Sequence, residues 1–132
     1  MSFQCTVVTP EQQSFDGKIV QAIVPAHDGL VGILTHRAPL LVKLGIGPLR
    51  LDLPDNKKTF FLIDGGIAQM KGDKLTILTE AAMPADAINY ETARAQYAEA
   101  QALKPVDAKT TARREHDLAV AKAKMNIVEQ PR

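Results

Sequence analysis

Few side chains in this sequence carry intrinsic reactivity: one cysteine, Cys5, and three histidines, His27, His36 and His116. A nucleophilic or metal-bound thiolate needs a cationic or imidazole neighbour. Cys5 is flanked by Gln4 and Thr6 in an apolar-alternating stretch, so it is expected to be a buried filler. The histidines form neither a His-x-x-x-His nor a His-Glu-x-x-His pattern and are too scattered to complete a zinc site with Cys5, so no metal ligands are expected. Gly65-Gly66 follows the apolar run 60–63 as a phosphate loop follows its strand. Strand-like sequence resumes at Ile67, where a phosphate loop would open a helix, so a bulge or tight turn is expected instead. Arg113 and Arg114 have the chemistry to grip a phosphate, but adjacent cations on a helix read more simply as a solvated face. No Ser-His-Asp set, carboxylate pair or Walker-type loop is recognisable from spacing, and no catalytic residues are expected.

The chain has 132 residues, enough for one domain with a small appendage. A hydrophobic share of 45% against 23% charged residues predicts a packed core and excludes a disordered chain. The net charge of +1 lacks the excess that drives binding to nucleic acid or an anionic bilayer. No run approaches a membrane span of about 20 apolar residues, and the N-terminus has no signal-peptide pattern. A soluble, unexported chain in a reducing compartment is expected, with no nucleic-acid partner and membrane contact only through other proteins.

Two grammars divide the sequence near Pro84. Residues 1–84 show short β-rich segments at 3–8, 18–24, 30–34, 49–53, 59–63, 67–70 and 75–79, split by turn signals at 15–18, 54–57 and 71–74. Alternation at 49–53 and 75–79 implies half-buried strands, and so many short strands predict a small antiparallel sandwich or flattened barrel. Residues 85–132 change character: fourteen of the eighteen alanines lie between Ala81 and Ala123, in a region without glycine. Two helices are expected, one capped by Asn89 and stopped by Pro105, the other capped by Asp107 and running to about Val128. Tyr90, Ala93, Tyr97 and Ala100 form one apolar stripe, and Leu118, Ala121, Met125 and Val128 the other. The fold class is thus α+β, a sandwich at 1–84 followed by an antiparallel helical hairpin at 85–132. The alanine seams are thin, so the hairpin is expected to be a movable element that leans on another surface.

Four stretches carry a resemblance. Val7-Val-Thr-Pro-Glu11, Gly29-Leu-Val-Gly-Ile-Leu-Thr-His-Arg-Ala-Pro-Leu40, Asp64-Gly-Gly-Ile67 and Leu75-Thr-Ile-Leu-Thr-Glu-Ala-Ala82, in this order and at these separations, resemble the epsilon subunit of bacterial F-type ATP synthase. The resemblance spans essentially the whole chain. It implies a non-catalytic rotor component of the central stalk, peripheral on the cytoplasmic face of the plasma membrane. The implied partners are the gamma subunit, the ion-carrying ring of c subunits and, through the hairpin, the catalytic alpha/beta head, where ATP hydrolysis would be restrained. The implied ring-contact residues are Asp28, Gly29 and Leu30 together with Thr35, His36, Arg37, Ala38 and Pro39. Arg37 stands where the family commonly has a histidine.

Some members of that family bind ATP through an Ile/Leu-Asp-x-x-Arg-Ala motif opening the first helix. Aligned on Ile88, this chain has Asn89 and Thr92 at the Asp and Arg positions, and Glu91 with Arg94 restores the spacing only after a two-residue shift. Asn89, Glu91 and Arg94 are the candidate nucleotide contacts, ATP is expected to be at best a weak ligand, and no cofactor is expected. The basic groups Arg94, Arg113, Arg114, Lys122 and Lys124 are expected to suit an acidic surface on the head. The rival readings are a freestanding sandwich that binds proteins, and a small enzyme using Glu80, His116 or the arginines.

Overall fold

The computed structural model describes residues 2–34 and 39–129. Eight strands come first: β1 Phe3–Val8, β2 Gln13–Ile19, β3 Gln21–Ala26, β4 Gly29–Leu34, β5 Leu40–Asp52, β6 Lys58–Lys71, β7 Lys74–Leu78 and β8 Ala82–Pro84. A short 3-10 turn, Ala85–Ala87, precedes helices α1 Tyr90–Ala102 and α2 Ala108–Glu129. The chain divides into two compact units, one ending at Pro84 and the other beginning at Ala85.

In the first unit the strand order is β2-β1-β7-β6-β5-β3-β4, with β8 added beside β6. The β1 to β7 pairing is parallel and the others are antiparallel. Seven strands send side chains into one core, where Phe3, Ile19, Val24, Ile33, Leu49, Leu51, Ile63, Leu75 and Ile77 are almost completely buried. Each such apolar side chain contributes about 1.5 to 3 kcal/mol by leaving water.

Two long strands organise this core. The sequence segment 49–53 is only the end of β5, and the segments 59–63 and 67–70 are one continuous strand, β6. In β5 the buried positions are Leu44 before Gly45, but Leu49 and Leu51 after it. In β6 the positions that join the core are Phe61 and Ile63 before the glycines, but Ala68 and Met70 after them, while Leu62 is buried on the opposite face. Side chains alternate with period two along a strand, so the inward parity of both strands switches where Gly45 and Gly65 would oppose one another. Gly65 and Gly66 have φ of +69° and +106°, and the strand runs through them with its register against β5 unchanged, so the expected phosphate-loop exclusion holds but the expected bulge or tight turn is instead a kink within one continuous strand.

Local turn chemistry was outvoted once. Residues 15–18 lie inside β2, because Phe15 packs on the core edge-to-face with Phe61, ring centroids 6.5 Å apart. The segment 18–24 is two strands, broken at Val20, whose N–H donates to the Asp52 carbonyl at 2.7 Å. The turns at 54–57 and 71–74 form as expected, with Asn56 at φ 65° and Gly72 at φ 61°.

The helix caps follow the sequence. Asn89 is the N-cap of α1, its side-chain oxygen accepting the Thr92 N–H at 3.1 Å. At the start of α2 the Asp107 carboxylate accepts the Thr110 N–H at 2.8 Å and the Thr110 hydroxyl at 2.9 Å, while that hydroxyl accepts the Asp107 N–H at 3.1 Å. The backbone and side-chain hydrogen bonds from Thr110 lower the Asp107 pKa below its ordinary 3.8. Its contribution is therefore present above about pH 3.8 and is lost as the pH falls through the depressed value. Asp107→Ala is expected to speed amide exchange over the first turn of α2 at neutral pH, and this difference from the parent chain should shrink in acid. Of the two helical stripes, Ala93, Ala100 and Ala121 are buried, and Ile127, outside the expected stripe, is buried as well.

Candidate functional site: an apolar groove in the sandwich

The cysteine behaves as a core residue. Cys5 is completely enclosed, and burial, assisted by the Asp16 carboxylate, pushes its pKa up to about 12. A thiol reagent is expected to leave Cys5 unmodified in the native chain at neutral pH and to reach it only on unfolding. The stabilising neutral thiol is fully present below pH 9.0, and stability falls as the pH rises from there toward about 12. Among the described residues no three His, Cys, Asp or Glu side chains cluster to hold a metal ion.

Three of the four motif stretches converge. The end of β1 with Thr9 and Pro10, the middle of β6 at Gly66 and Ile67, and the end of β7 with Thr79 and Glu80 line one groove of about 400 Å³. Its floor is fixed by buried threonines. The Thr79 hydroxyl contacts the carbonyls of Asp64 and Ala81 at 3.2 Å each, and the Thr79 N–H donates to the Val8 carbonyl at 3.0 Å. Thr9 closes the other side through its hydroxyl, 3.1 Å from the Gln12 carbonyl.

The groove wall is apolar. Ile67 and Leu78 oppose one another directly and are 37% and 44% exposed. Leu78 stands on the polar parity of β7, where Thr76 also points outward. The alternation at 75–79 held this signal in the sequence, but the partner Ile67 could be found only from the pairing register. Leu41, 67% exposed, lies on the same outward parity of β5 as Lys43, which pairs with Ile67. Exposed apolar side chains of this kind suit contact with another protein.

The fourth motif stretch forms β4 at its start and enters β5 at its end. Pro39, Leu40 and Leu41 line a second groove of about 340 Å³ with Gln69, Met70 and Lys71. The turn carrying Asp28, Gly29 and Leu30 is tied to β5 by the His27 N–H, which donates to the Lys43 carbonyl at 3.3 Å. Thus Asp28, Gly29 and Leu30 reach the same strand that begins after Pro39, whereas Thr35, His36, Arg37 and Ala38 lie outside the described residues.

Residues 2–85 match the family described as ATP synthase, Delta/Epsilon chain, beta-sandwich domain. The ATP synthase epsilon chain of Rhodopirellula baltica is 38% identical over 100 residues, 76% of this chain and 77% of that one. That of Rippkaea orientalis is 40% identical over 101 residues, 76% of this chain and 74% of that one. The chain belongs to the ATP synthase epsilon-chain family. The likeness extends through the helices in fold. A chain in the Euglena gracilis mitochondrial ATP synthase OSCP/F1/c-ring structure superposes with a TM-score of 0.84 at 20% identity, covering 92% of this chain and 78% of that one. A chain in the Tetrahymena thermophila central stalk/c-ring structure gives 0.68 at 16% identity, covering 95% of each.

The remaining candidates lie in the helical unit. Asn89 is committed to capping α1, while Glu91 and Arg94 are exposed on its first turns. The basic groups of α2 do not all point outward alike. Lys122 is exposed, and the Arg113 Nε is 4.0 Å from the Asp117 carboxylate. Arg114 donates to the Gln101 carbonyl at 3.3 Å, and Lys124 to the Gln96 side-chain oxygen at 3.2 Å. His116 sits beside Asp117, 3.6 Å away, and Glu80 lies in the sandwich groove.

Proposed function

We propose that the chain is the non-catalytic rotor subunit of an F-type ATP synthase, coupling the gamma subunit to the ion-carrying c ring during ATP synthesis, with a hairpin that restrains ATP hydrolysis. The observation that supports this most is the convergence of the family's motif stretches on an open apolar groove. A catalytic pocket would need convergent polar groups there; this groove instead offers Ile67 and Leu78 to a partner. We assign it to gamma. The neighbouring groove, with the Asp28 to Leu30 turn and the segment from Thr35 to Pro39, is assigned to the polar loops of the ring, Arg37 supplying a charge-assisted contact. The cations of α2 are assigned to an acidic surface on the alpha/beta head.

In this arrangement the chain is peripheral on the cytoplasmic face of the membrane. No helix among the described residues is long and apolar enough to cross a bilayer. ATP is not needed for the reading, because the motif positions Asn89 and Thr92 supply neither a carboxylate nor a guanidinium.

Co-purification tests the assignment. Ile67→Asp with Leu78→Asp places two charges in the groove wall, and burying each unpaired would weaken gamma binding by about tenfold or more. Retained gamma binding by a folded double variant would refute the assignment to this groove, and failure of the parent chain to co-purify with gamma would favour the freestanding module.

A further inference from the structure

The helices α1 and α2 meet through small side chains, with Ala93, Ala100 and Ala121 at the buried positions. Alanines bury little area, and a seam of like residues scarcely distinguishes one register from another a turn away. Polar contacts across the seam do distinguish them. Lys124 Nζ donates to Gln96 Oε1 at 3.2 Å, and the Arg114 guanidinium donates to the Gln101 carbonyl at 3.3 Å. The Glu129 carboxylate acts on the Tyr90 hydroxyl in the same antiparallel register and raises its pKa above the ordinary value. Gln101 belongs to the last turn of α1, where carbonyls lack helical partners and the helix dipole favours a cation.

The contact is incomplete. The Arg114 Nε is buried with no hydrogen-bond partner among the described residues. A guanidinium satisfied by one carbonyl is short of what a carboxylate provides through two parallel hydrogen bonds. Lys124 likewise meets a neutral amide oxygen where an anion would bind it more strongly.

We propose that Arg114 and Lys124 are exchange residues: in the closed hairpin they are held by Gln101 and Gln96 of α1, and when the helices part they are released to a carboxylate-bearing surface. The same two cations then stabilise both states, and the acceptors on α1 set how readily the hairpin opens. The open-state half rests on the proposed role of the hairpin as a brake.

The test uses the full-length chain and separates the two acceptor roles. Gln96→Ala removes an acceptor and keeps every cation; Lys124→Met removes the donor. Each should raise amide hydrogen exchange in α1 about threefold, the double variant no further than either alone, with exchange in the sandwich unchanged. Unchanged exchange in both single variants, or full additivity in the double, would overturn the clasp. In the assembled complex the two variants should act in opposite directions, Gln96→Ala slowing ATP hydrolysis and Lys124→Met speeding it. Effects of the same sign would overturn the exchange even where removal of the whole hairpin shows a brake. No effect of removing the hairpin would instead defeat the brake reading, and the exchange measurements would still decide the clasp.

Discussion

Gly66→Ala is expected to lose about 4 kcal/mol or more of stability, enough to unfold a marginally stable domain. A Cβ at this position would lie 1.9 Å from the Leu78 carbonyl oxygen and 2.8 Å from both the Leu78 carbonyl carbon and the Thr79 Cα. All three are backbone atoms and cannot rotate aside. The φ of +106° adds strain for any L side chain. Gly72→Ala provides the contrast: its φ is also positive, at +61°, but no atom stands within 4 Å of the added carbon, so a loss of only about 1 kcal/mol is expected. Urea denaturation of both variants measures the difference. Equal losses would show that conformational strain, rather than the approach of β6 to the end of β7, is what demands glycine. The consequence reaches function, because that approach shapes the groove assigned to gamma.

Removing residues 85–132 is expected to leave a folded sandwich and to release ATP hydrolysis in the assembled complex. The sandwich has its own core, formed by side chains from Phe3 to Ile77, and none of that cluster comes from the helices. A chain ending at Pro84 should therefore give a β-type circular dichroism spectrum with a cooperative thermal transition and should still co-purify with gamma. A brake that favours its engaged state by about 1.4 kcal/mol is worth about a tenfold rise in hydrolysis when it is cut away. An unfolded truncation would refute the self-sufficiency of the sandwich. Unaltered hydrolysis by a complex containing the folded truncation would refute the brake.

The features legible beforehand were those decided by near neighbours in sequence. Asn89 and Asp107 were readable as caps because a capping side chain bonds a backbone N–H two or three residues away. The hairpin turns at 54–57 and 71–74 were readable because asparagine and glycine accept positive φ at little cost. The alternation at 75–79 announced which residues of β7 face the core. The motif stretches were also visible as strings, and the epsilon-chain family could be recognised from them, as the relatives bear out.

What failed was wherever distant contacts overruled local preference. The turn signal at 15–18 yielded to the packing of Phe15 on Phe61, forty-six positions away in a chain whose core had yet to form. Two strands were read in place of the single β6, because glycine pairs normally punctuate strands, and only pairing with β5 on one side and β7 on the other carries the backbone through them. Arg113 and Arg114 read as a solvated face and Lys122 and Lys124 as suited to an acidic surface, yet helical periodicity could not say that Gln96 and Gln101 would stand across from Lys124 and Arg114.

The sequence by itself determined the succession of a β-rich unit followed by two helices, the capping of those helices and the family, since each follows from composition and periodicity within a few residues or from ordered motifs. Tertiary structure alone decided that three motif stretches share one groove, that Gly66 lies against the β7 backbone, and that two cations of α2 are held by α1. Those facts depend on register between segments far apart in the chain, and a shift of one residue in strand register would send every side chain of the strand to its opposite face.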